Sequence, residues 1–122
     1  MSYDITWRFK TSKDTWETVP TEYDTHANIT WNVKGIIQKS TKLPWKNEED
    51  NGLVIDIIPS IKSGLKELQE HPEEYLALES PNGWGTIEGT IHFFKTILSD
   101  WEKFKQYSDM KDYVDKVHFW IV

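Results

Sequence analysis

Four groups of side chains in this sequence have the types and spacing to do chemistry. Glu88 and His92 are four residues apart, which places a carboxylate and an imidazole on one side of a helix, as a two-ligand metal site or an acid–base pair requires. Trp84 stands between Gly83 and Gly85, inside Pro81-Asn82-Gly83-Trp84-Gly85-Thr86. An indole there either caps the core over a tight turn or is offered to a ligand for stacking, with Asn82, Thr86 or Glu88 bonding its polar groups. Trp31 lies between Asn28 and Asn32, a combination of ring and amides suited to recognition. Trp45 sits in a polar stretch with Lys39, Lys42 and Lys46, the cations best placed to meet a phosphate.

Catalysis is poorly supported. The chain has no cysteine, so it has no thiolate nucleophile and no disulfide. No serine occupies a Gly-x-Ser-x-Gly elbow. Glu88 and His92 lack an evident third ligand, and a surface pair of this kind is worth only a few tenths of a kcal/mol. The glycines before Thr86 lack the spacing of a phosphate-binding loop, and Glu88 would hold the favourable anion position at the helix start. No catalytic residue, metal or cofactor is assigned.

Composition narrows the partners. The 122 residues suit a single domain, 1–122. Hydrophobic residues make up 38%, and seven are tryptophan, which supports a folded core. A formal net charge of −6 argues against neutralising nucleic-acid phosphates and allows an acidic face, such as Glu48-Glu49-Asp50, to meet a basic protein. The N-terminus does not read as a signal peptide, and no apolar run reaches the roughly 20 residues of a membrane span. A cytoplasmic protein without membrane contact is expected.

The elements that must carry these residues are legible by periodicity. Tyr3, Ile5, Trp7 and Phe9 alternate with polar residues, a half-buried strand, and Thr15 to Val19 can return as its hairpin partner before Pro20. Ile29, Val33, Ile36 and Ile37 follow helical spacing, with Thr25 or Asn28 as N-cap. That helix would leave Trp31 on its open side, with Gly35 making room beside the ring. Ser40 to Gly52 reads as a loop. Leu53, Ile57, Ile61, Leu65 and Leu68 form a second helix that kinks or starts near Pro59 and stops at His71-Pro72, where a short helix begins. Ile87 to Phe104 is the strongest helical pattern, capped by Thr86, and Lys116 to Val122 is a closing strand expected to pair with the first. Gly35, Gly64 and Gly89 fall within helices, each at about 1 kcal/mol against alanine, and close helix contact is the commoner reason. The expected fold class is α+β: a small antiparallel sheet, made of an N-terminal hairpin and a C-terminal strand, packed against three main helices.

Four blocks carry a resemblance. Met1-Ser2-Tyr3-Asp4-Ile5, Asn28-Ile29-Thr30-Trp31-Asn32-Val33, His71-Pro72-Glu73-Glu74-Tyr75 and Pro81-Asn82-Gly83-Trp84-Gly85 together resemble small proteins encoded in bacteriophages and prophages. The resemblance implies an accessory factor that counteracts host defence in the host cytosol. Some proteins of this size sequester nucleotide signals, commonly as homo-oligomers with sites between subunits, and others block a defence protein directly. The expected function is therefore a non-enzymatic protein that sequesters a nucleotide-like small molecule through Asn28, Trp31, Asn32, Lys39, Lys42, Trp45, Lys46, Asn82, Trp84, Thr86 and Glu88. The alternative is an inhibitor of a host defence protein, anchored by exposed tryptophans and an acidic surface. A small metal-dependent hydrolase built on Glu88 and His92 ranks third.

Overall fold

The computed structural model describes residues 1–122 and has the expected α+β architecture. Strand β1 (Ser2–Ser12) is the hub, because alternation turns Tyr3, Ile5 and Trp7 inward. One edge of β1 pairs antiparallel with β5 (His118–Ile121), from Ile5 opposite Ile121 to Arg8 opposite His118. Its other edge is shared by β2 (Thr15–Thr18), opposite Arg8 to Ser12, and β3 (Asn28–Thr30), opposite Ser2 to Asp4. Strand β4 (Glu49–Leu53) completes the sheet beyond β5. The hairpin, and the pairing of the closing strand with the first, are as expected, the closing strand covering His118–Ile121 of the expected 116–122.

Between β2 and β3 no strand covers the Trp7 amide, and a side chain does so instead. Asp24 Oδ1 accepts from Trp7 N at 2.6 Å and from Thr25 N at 2.8 Å, while Oδ2 accepts from the Thr6 hydroxyl. The Thr25 hydroxyl donates to Asp100 Oδ2 at 2.6 Å, tying this crossing to the helical layer.

That layer contains α1 (Lys34–Thr41), α2 (Val54–Glu70) and α3 (Ile87–Gln106). At Gly64 a Cβ would stand 2.7 Å from Thr41 Cγ2 and 3.1 Å from Phe94 Cε2, so this glycine permits the close approach of all three helices. Pro59 lies inside α2, which begins at Val54. The chain leaves α2 at His71 and makes two 3₁₀ turns, at Pro72–Glu74 and Leu76–Leu78.

Three expectations are corrected. The segment from Ile29 is not helical at first: Asn28–Thr30 is a strand, Trp31–Val33 is a 3₁₀ turn, and α1 begins only at Lys34. Pairing with Ser2–Asp4 and the bond from Trp31 N to Met1 O prevail over the local spacing, and strand plus turn still bring Val33, Ile36 and Ile37 into the core. The loop expected over Ser40–Gly52 ends in β4, with an irregular register between Asp50 and Leu53 and Gly52 at φ 111°. Trp45 is not exposed. Left-handed backbone at Lys42 (φ 65°) and Trp45 (φ 53°) folds the chain back after α1, and only 1% of the residue's surface remains accessible. Its ring meets Tyr3, Phe93 and Phe119 at centroid distances of 5.8, 5.9 and 5.7 Å.

Candidate functional site

The glycine-flanked tryptophan is presented, not packed: Trp84 is 68% exposed. The loop beneath it is braced by its own polar groups. Asn82 Oδ1 accepts from the Ser80 hydroxyl at 2.6 Å and from Trp84 N at 2.9 Å, and Gly83 N donates to Ser80 O at 3.1 Å. Glu79 Oε2 accepts from Ile87 N at 2.8 Å, and Thr86 Oγ1 accepts from Gly89 N at 3.0 Å, capping α3 as its position predicts. Gly83 and Gly85 have φ of 79° and 104°, which explains why glycine brackets the ring.

Gly85 also joins two segments that the sequence leaves apart. A Cβ on it would lie 2.8 Å from Asn32 Cβ and 3.2 Å from the Asn32 carbonyl carbon. The loop therefore sits directly on the Trp31–Val33 turn. Trp31 is held there, its Nε1 donating to Ser2 O at 2.8 Å and its ring centred 5.9 Å from that of Tyr3, yet part of it stays open to solvent. Leu78 Cδ2 would be 3.7 Å from a Cβ on Gly35, in the first turn of α1. Met1, Trp31, Leu76, Leu78 and Trp84 are all exposed apolar residues of these adjoining segments. Exposed Glu73, Glu74 and Glu88 flank them in the chain.

The other predicted site residues separate. Lys39 is tied down, its Nζ donating to Glu74 O at 2.6 Å and lying 4.6 Å from the Tyr75 ring centre. Lys42 ends α1 and Lys46 follows the buried Trp45; both are exposed and neither lines a cavity with Trp31 or Trp84. Asn28 lines a small depression with His26, Ala27 and His92, whereas Glu88 lines a different one with Pro72, Ile91 and Lys95. The Glu88–His92 pair thus opens onto two separate depressions. The one trio of metal-capable groups within 4.8 Å of one another is His71, Glu73 and Glu74, all exposed. Of the acidic run, Asp50 is engaged in holding His118 Nδ1 at 3.0 Å and Gly52 N at 2.8 Å.

The outer sheet face was missed. Arg8 stacks 4.5 Å from the Trp120 ring centre, Trp16 packs edge-on against Trp120 at 5.3 Å and His118 at 4.8 Å, and Lys10 Nζ stands 5.3 Å from the Trp16 ring centre. The alternation that buries Trp7 and Phe119 already implies that Arg8, His118 and Trp120 face the other way. What it lacks is the register that makes them neighbours. No helix is long and apolar enough to cross a membrane. Compared with protein families, curated proteins and solved structures, the chain matches none.

Proposed function

We propose that this chain is a non-enzymatic binding protein of the phage accessory type, which counteracts host defence by docking on a protein of the defence machinery. The observation that carries this reading is the exposed Trp84, held on a braced loop that rests on the Trp31–Asn32 turn. Small molecules are usually taken in concave sites, and none of the four depressions on the surface is lined by Trp31, Trp84 or Leu78. An open apolar surface with a large ring and flanking acids suits a protein with a basic rim around an apolar centre. Sequestration of a nucleotide-like signal by the residues first selected would need a homo-oligomer, with a second copy bringing lysines to the tryptophans.

The test is a phage plating assay in a host whose defence the chain relieves. Trp84→Ala should abolish relief while the purified variant keeps the wild-type unfolding midpoint, since so exposed a ring contributes little to the fold. Trp31→Phe should weaken it partially. Full relief by the Trp84→Ala variant would refute docking through this surface.

A further inference from the structure

The ladder between β1 and β5 stops at Arg8 and His118, and the two chains then part. In that fork lies a cavity of about 300 Å³, lined by Phe9, Lys10, Leu53, Tyr113, Lys116 and His118. Two features set it apart from the rest of the surface. Lys10 comes from one arm of the fork and Lys116 from the other, and neither ammonium has a carboxylate within salt-bridge distance, although the chain as a whole is acidic. His118 is oriented by Asp50, which takes its Nδ1 and leaves Nε2 without a protein partner. The second feature is an aromatic wall: Phe9 and Tyr113 have ring centres 5.2 Å apart and planes inclined by 44°, with Leu53 completing the apolar lining. Asp50 reaches this lining through its bond to His118.

An anion gains most where charged donors converge from different elements, and a planar ring gains most beside other rings. The cavity offers both within one volume, at the lower end of the range for small-molecule sites. We infer that the cavity at the β1–β5 fork binds a small molecule carrying both an anionic group and a planar ring, of the mononucleotide class. Lys10 and Lys116 hold the phosphate, and the base lies against Phe9 and Tyr113. None of these residues belongs to the Trp84 surface, so the inference stands or falls independently of the docking proposal.

The experiment is an NMR titration of the ¹⁵N-labelled full chain with AMP, adenosine and inorganic phosphate in low salt. AMP should give saturable shifts at the amides of Phe9, Lys10, Lys116 and His118. Because charge-assisted contacts carry the phosphate, AMP should bind at least about tenfold more tightly than adenosine. It should also exceed inorganic phosphate, which lacks the ring. The Lys10→Ala/Lys116→Ala variant should lose at least about tenfold in AMP affinity while its remaining spectrum is unchanged, and Trp84→Ala should bind AMP as the wild type does. Absence of saturable shifts at the fork with millimolar AMP would overturn the inference. So would adenosine or phosphate binding as tightly as AMP, or undiminished AMP affinity in the double-lysine variant.

Discussion

Replacing Asp24 tests how the central strand is completed. Its carboxylate accepts from Trp7 N at 2.6 Å, from Thr25 N at 2.8 Å and from the Thr6 hydroxyl. Trp7 and Thr25 are both buried, so Asp24→Ala strands two amide donors away from water. Each orphaned donor costs about 1–3 kcal/mol, and relief of the buried charge offsets part of that, so a net loss of about 2–4 kcal/mol is expected. Asp24→Asn keeps one oxygen for the amides and offers an NH₂ to the Thr6 hydroxyl, so it should stay within about 1 kcal/mol of wild type. Burial raises the Asp24 carboxyl above its ordinary value of 3.8, although the three hydrogen bonds and His26 pull it down. The folded chain therefore holds this proton more readily than the unfolded one. The contribution of Asp24 to stability is full below the ordinary value and falls as pH rises through the raised folded value. Wild type should lose stability relative to Asp24→Asn across that acidic window and run parallel to it above. Urea unfolding followed by tryptophan fluorescence measures both effects, with unchanged slopes confirming that the native state is intact. A loss under about 0.5 kcal/mol for the alanine variant, or equal losses for alanine and asparagine, would refute the reasoning.

Trp45→Ala should cost about 3–5 kcal/mol in the same assay, because it empties a space enclosed by Tyr3, Phe93 and Phe119; a loss below about 1 kcal/mol would contradict the burial. Burial, with the Glu67 and Glu74 carboxylates nearby, pushes the Tyr75 hydroxyl up to about 12. Neutral Tyr75 thus stabilises the fold fully below its ordinary value of 10.0, and this contribution is lost as pH rises from there toward about 12. Thermal unfolding across that range should fall more steeply for wild type than for Tyr75→Phe, and parallel curves would contradict it.

The spacing of particular residues made much of the fold legible. Tyr3, Ile5 and Trp7 alternate, and Ile87 to Phe104 repeats every three to four residues, because each element buries one face whatever it packs against. Thr86 reads as an N-cap because its hydroxyl serves an amide three residues away. Ile29 misled for the converse reason: a strand followed by a turn reproduces the helical spacing of Ile29, Val33, Ile36 and Ile37, and the distinction lies in a partner strand at the N-terminus. Strand β4 was hidden because Glu49-Asp50-Asn51-Gly52 is polar and owes its extended form to β5.

The candidate sites divide along the same line. Composition by itself excluded thiol chemistry and argued against a nucleic-acid partner, and local turn chemistry marked Trp84 as unusual. Whether a tryptophan is buried is a non-local property. Trp45, among lysines, is walled in by residues from β1, α3 and β5, while Trp84, just ahead of a long amphipathic helix, is left in solvent. Lys10 and Lys116 lie near opposite ends of the chain and share a cavity only because β1 and β5 pair and then part. Side-chain identity and period are written residue by residue; neighbourhood is set by strand register and helix packing, which depend on the whole chain at once.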